Sequence, residues 1–162
     1  IDQIPKDKRP RVYYARGPSG LETGLGGSIN VETIEFLGEQ NVAGERKGGM
    51  ATVSIEQVLA WNPDVIITIE PAVAAAVRSD AVWAPVKAVK NGRIYLSPRL
   101  PFGWVDFPPS VNRLIGLWWL AKALYPDQFH DDLRPLTREF YKRFYHIDLT
   151  DAQLDRVLAG QG

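Results

Sequence analysis

Between Ser97 and Ser110 the chain reads Pro98-Arg-Leu-Pro-Phe-Gly-Trp-Val-Asp-Phe-Pro-Pro109, which sets three aromatic rings, Phe102, Trp104 and Phe107, beside the guanidinium of Arg99. Four prolines restrict the backbone of this stretch, so the rings can be held in fixed positions. Rings next to a cation suit a large planar or anionic ligand, through stacking and charge-assisted hydrogen bonds. The plainer alternative is that some of the rings only cover the end of a sheet. Loops of this composition rarely serve only to connect.

Other chemistries are poorly served. Gly24-x-Gly26-Gly27 stands between an expected strand and an expected helix and resembles a phosphate-binding turn. Its spacing is wrong, because a dinucleotide fingerprint places its glycines directly after the strand, and no Gly-Lys-Ser/Thr follows. A cleft-lining loop is the favoured reading of these glycines, and a nucleotide- or oxyanion-binding α/β domain is the alternative. The histidines are His130 and His146, and cysteine is absent, which removes disulfides, cysteine-ligated zinc and thiol nucleophiles. Nothing pairs a serine or threonine with either histidine, so no catalytic residue is assigned. Adjacent side chains diverge, so His130-Asp131-Asp132 makes a poor metal site, and Asp131 or Asp132 reads instead as a helix cap. Glu56, in the first turn of an expected helix, is explained by the helix dipole alone.

These residues need elements to position them. Residues 1–10, with Pro5 and Pro10, read as a leading linker, and ordered structure begins at Arg11. Val12-Tyr-Tyr-Ala15 is β-prone, and Gly17-Pro-Ser-Gly20 is a turn cluster. A helix follows from about Ile29 to Leu37, capped by Ser28 or Asn30 and closed by Gly38. Ser54 and Gln57 have capping-box spacing, Pro63 stops the helix they open, and Val65-Ile66-Ile67 has the pattern of a strand covered on both faces. Residues 72–77 are helical, 82–89 are ambiguous, and Asn91-Gly92 turns into a last strand over 93–96. Ser110 caps a largely apolar helix from Val111 to Tyr125. Leu136, Phe140 and Phe144 recur every fourth residue, marking an amphipathic helix, and Thr150 with Gln153 opens a final one. Alternating strands and helices give an α/β fold, a three-layer sandwich around a mainly parallel sheet, with helices closing the chain. Residues 11–162 are expected to form one lobe.

The 19 basic and 19 acidic residues cancel, so net charge favours neither nucleic acid nor an anionic membrane. The longest nearly apolar run, Leu114 to Ala121, is far short of the roughly 20 residues that a membrane-spanning helix needs.

Ser54-x-Glu56-Gln57-Val-Leu with Asn62-Pro63-Asp64-Val-Ile-Ile resembles the C-terminal lobe of the substrate-binding proteins of ABC importers for ferric siderophores, haem and cobalamin. Val89-Lys-Asn-Gly-Arg-Ile-Tyr-Leu96 resembles that family's last strand, and Ser110-Val-Asn-Arg113 through Trp119-Leu-Ala-Lys-Ala-Leu-Tyr-Pro126 its next helix. The resemblance implies one lobe of a two-lobe protein, with an N-terminal lobe and an export or lipoprotein signal preceding Ile1, and an exported location, periplasmic or membrane-anchored. It implies a ligand rather than a cofactor: an iron-siderophore, haem or cobalamin, handed to a membrane permease. By position it makes Arg16, Glu22, Met50, Arg99, Phe102, Trp104 and Phe107 cleft residues, with methionine at 50 where relatives often carry an aromatic ring. Glu56 becomes the carboxylate that docks on the permease.

Overall fold

The computed structural model describes residues 4–160, so Ile1–Gln3 of the expected linker and the last two residues lie outside the described part. The chain comprises two compact units, divided between Leu96 and Ser97. The division falls where the proline-rich loop begins.

The N-terminal unit is built on four parallel strands, β1 (Arg11–Ala15), β3 (Gln40–Asn41), β5 (Val65–Thr68) and β6 (Ile94–Leu96), in the order β3-β1-β5-β6. Tyr13 pairs in register with Ile66 and Ile66 with Ile94, so the three side chains share one face. They pack with Val58, Val73, Val77, Trp83 and Val86 into one buried cluster. Each such aliphatic side chain contributes roughly 1.5–3 kcal/mol by leaving water. Val12, Tyr14, Val65 and Ile67, on the opposite face, are equally buried, as the unbroken β-branched run requires.

Helix α2 (Ile55–Trp61) starts at Ser54, whose Oγ accepts from Gln57 N at 3.2 Å. Only this half of the expected box forms. Asn62 ends the helix in the left-handed region, and its Oδ1 accepts from Lys87 N at 2.8 Å. Helix α3 (Pro71–Ser79) extends the expected 72–77 segment at both ends, and the ambiguous stretch ends in a single helical turn, α4 (Lys87–Lys90).

Two features depart from the sequence reading. Helix α1 is only Glu32–Phe36, because Ser28 Oγ accepts from Asn30 N and holds residues 28–31 as a turn. Gly38 closes it as expected, with φ of 73°. The second departure is a two-stranded antiparallel ribbon of β2 (Glu22–Gly24) and β4 (Met50–Thr52), pairing Glu22 with Thr52 and Gly24 with Met50. Strands of three residues carry too little alternation to be read from sequence.

The C-terminal unit holds α5 (Arg113–Leu124), α6 (Leu133–Tyr145) and α7 (Asp151–Leu158). Asp132 caps α6, accepting from Arg134 N, and the Thr150–Gln153 capping box is complete. The buried face of α6 carries Thr137, Phe140 and Tyr141 rather than the Leu136-Phe140-Phe144 row. Phe144 is 48% exposed, and its ring rests on that of Phe140, centroids 4.8 Å apart.

Candidate binding site

Strands β1 and β5 are neighbours, yet the next strands in the chain order lie on opposite sides of them, β3 beside β1 and β6 beside β5. Their carboxyl ends therefore mark a topological switch point, where open α/β sheets present ligand sites. Arg16 follows β1 there and Glu70 follows β5. Arg16 Nε lies 3.0 Å from Glu70 Oε1, which also accepts from Gly17 N at 3.2 Å. Tyr14, two residues back on the same side of the strand, receives Arg16 Nη1 on its hydroxyl at 3.2 Å. The guanidinium is thus held from two directions.

Glu22 is brought to the same place. Arg16 and Glu22 exchange backbone hydrogen bonds of 2.8 and 3.0 Å, closed by the turn in which Gly20 N donates to Gly17 O. Both turn glycines have φ of 73°, and a Cβ on Gly17 would stand 2.6 Å from the Glu22 carboxyl group. The exposed Glu22 side chain can swing aside, so it is the positive φ that favours glycine there. Met50, 39% exposed, lies opposite Gly24 at the far end of the ribbon that Glu22 opens. Glu70 escaped the sequence reading, although a carboxylate between a buried strand and a proline-led helix, Thr68-Ile-Glu-Pro71, was the signal for it.

The glycine loop is shaped by packing. Gly26 N donates to Arg46 O, a Cβ on Gly26 would stand 2.2 Å from Gly44 O, and Gly27 N donates at 3.1 Å to the carboxylate of Glu35. The donor that a phosphate would use at Gly27 is taken by a carboxylate of the same unit. Glu56 is exposed at the start of α2. Its own backbone N–H and then the Ser54 side chain hold its carboxyl below the usual glutamate range.

In the C-terminal unit the proline-rich loop has a buried middle and exposed flanks. Arg99, Phe102 and Phe107 are exposed, the last by 67%, whereas Gly103 to Asp106 are buried. Trp104 is 0% exposed and its Nε1 donates to Leu100 O at 3.3 Å. That corrects the expectation of a surface ring at 104, for the indole is part of the unit's interior. The loop lies against α5 at Gly116, where a Cβ would stand 1.8 Å from Trp104 O. His146 ends α6 in the left-handed region with φ of 57°. Among the described residues no group of three or more His, Cys, Asp or Glu side chains could hold a metal ion, and no helix is long and apolar enough to cross a membrane.

The sheet and the charged groups at its strand ends define an α/β lobe of the kind that carries ligand sites on its strand termini. Residues 2–99 match the periplasmic binding protein family, and the chain belongs to that family. It is 35% identical over 153 residues to the molybdate-binding protein MolA of Haemophilus influenzae, covering 90% of this chain and 41% of that protein. An ABC transporter solute binding protein from Sulfurospirillum deleyianum superposes with a TM-score of 0.90 at 33% identity, over 96% of this chain and 49% of that one. The structure of MolA bound to molybdate matches with a TM-score of 0.79 and 34% identity, over 93% of this chain and 46% of that one. The chain therefore spans somewhat less than half the length of each relative.

Proposed function

We propose that the chain is one lobe of the substrate-binding component of an ABC importer, working outside the cytoplasmic membrane, and that its cargo is a metal oxyanion or a metal chelate. The observation that carries this is the guanidinium of Arg16, held by Glu70 and Tyr14 at the switch point of the parallel sheet. A cation fixed before the ligand arrives loses little freedom on binding an anion, which favours affinity. Different observations favour the two cargoes. A tetrahedral metal oxyanion is supported by the 35% identity with MolA. A metal chelate of the siderophore, haem or cobalamin kind is supported by the exposed Phe102 and Phe107 on the loop with Arg99, since broad rings suit a planar or bulky ligand better than a small oxyanion. Glu56 would present its carboxylate to the permease.

The test is a titration of the full-length protein, followed by tryptophan fluorescence, with molybdate, tungstate, a ferric siderophore, haem and cobalamin. Saturation by molybdate and tungstate alone selects the oxyanion, and saturation by a chelate alone selects the chelate. No saturable response across the panel would sink the proposal.

A further inference from the structure

The backbone carbonyl of Leu100 receives donors from three places in the C-terminal unit: Trp104 Nε1 at 3.3 Å, Asn112 Nδ2 at 3.1 Å, and the Tyr141 hydroxyl. Asn112 Nδ2 also donates to Phe102 O at 2.8 Å, and Asn112 Oδ1 accepts from the Tyr145 hydroxyl at 2.6 Å. Asn112 is fully buried. It stands at the N-cap of α5, a position where asparagine ordinarily bonds the helix's own first amides, yet its side chain makes no such bond. Its amide is turned to the loop instead. The two carbonyls it holds belong to Leu100 and Phe102, within three residues of Arg99 and on Phe102 itself. The two carbonyls can only accept, so they set Nδ2 toward the loop, and the Tyr145 hydroxyl, from the end of α6, braces the amide by donating to Oδ1.

We propose that Asn112, braced by Tyr145 and backed by Tyr141, is the positioning residue of the cargo loop: it sets Arg99 and Phe102 in their binding arrangement before cargo arrives. The proposal rests on the reading of residues 97–109 as cargo-facing. Its kinetic signature is specific. A loop that is competent only part of the time binds with an association rate and affinity reduced by that fraction, while the dissociation rate of the complex, whose contacts are intact, is unchanged. Loss of a contact ring acts on dissociation instead. A purely structural role for Asn112 would lower stability and leave the two rates in their original ratio.

The experiment uses the full-length protein with Asn112→Asp, which keeps the acceptor for Tyr145 but removes the donor to both carbonyls. Tyr145→Phe is a gentler second variant in case the first does not fold. Amide exchange over 99–107 is measured in the free protein, and stopped-flow association and dissociation with molybdate and, separately, a ferric hydroxamate chelate. The expected result is exchange faster by about tenfold in the loop but not in the centre of α5. Association should be slower by about three- to tenfold, with dissociation unchanged. Unchanged loop exchange, or a change in dissociation alone, would overturn the proposal. Phe102→Ala and Phe107→Ala separate the two levels. If they raise dissociation while Asn112→Asp and Tyr145→Phe leave association unaltered, only the positioning role falls. If neither ring variant moves either rate with either probe, the loop is not at the cargo and both readings fall.

Discussion

Arg16 Nε stands 3.0 Å from Glu70 Oε1, so the cation that follows β1 is held by a carboxylate that follows β5. The pair joins two strands that are distant in sequence but adjacent in the sheet, and it places a negative charge beside the group proposed to receive an anion. Glu70→Gln keeps an oxygen acceptor for both Arg16 and Gly17 while removing that charge. Affinity of the full-length protein for molybdate should rise by about three- to tenfold, equivalent to roughly 0.7–1.4 kcal/mol. Arg16→Gln should lower it by about tenfold or more. Titrations at low and at about 0.15 M salt check this, because the Glu70 effect should shrink as screening increases.

Glu56 is exposed and its carboxylate is not needed to form α2, which Ser54 caps. Glu56→Arg should therefore leave cargo affinity and melting temperature nearly unchanged while abolishing uptake in cells, because it reverses the charge that the proposal presents to the permease. Normal uptake with the variant would remove Glu56 from any docking role.

Gly116 lies against the carbonyl of Trp104, with no room for a methyl group. Gly116→Ala gains helix propensity worth about 1 kcal/mol, yet must push the loop off α5. The net effect should be a destabilisation of about 1–3 kcal/mol by denaturant titration. An Ala variant as stable as the parent would mean that the loop yields easily.

Stability should fall at both ends of the pH scale. Burial raises the Tyr141 phenol to about 12 and also raises Tyr145. A raised folded-state pKa means that the unfolded chain releases its proton first, so this contribution is complete below about pH 10 and lost as pH climbs toward 12. At Asp64, desolvation acts to raise the pKa, but the Lys87 ammonium at 2.7 Å and the Arg11 N–H at 2.9 Å outweigh it and the carboxyl is lowered. Its contribution is present above the ordinary aspartate value of 3.8 and lost as pH falls through the lower folded value. Denaturation midpoints across pH, with tyrosinate absorbance on the alkaline side, measure both; Asp64→Asn should flatten the acid limb only.

The elements with strong local signals were legible in the sequence. Ser54, Pro63 and the run Val65 to Ile67 define a capped helix and a buried strand by themselves, and the structure has both. The ribbon of β2 and β4 was not legible, because three-residue strands carry little pattern and their pairing spans some thirty residues of chain. The buried face of α6 was misplaced because Phe144 fits the fourfold spacing but packs on Phe140 from the exposed side. At the site, Arg16 and Glu22 were found together, whereas Glu70 was missed: its partner is 54 residues away, and only the sheet order makes them neighbours. Trp104 looked like Phe102 and Phe107 in the sequence. Burial distinguishes it, and burial depends on Gly116, which no local pattern connects to it.

The four-stranded sheet ends on one side in a strand of two residues, Gln40–Asn41, and on the other in one of three, Ile94–Leu96. An edge this short gives another polypeptide almost no row of backbone donors and acceptors to zip onto. Self-association by strand addition to this sheet is therefore disfavoured by geometry, without the need for guarding charges.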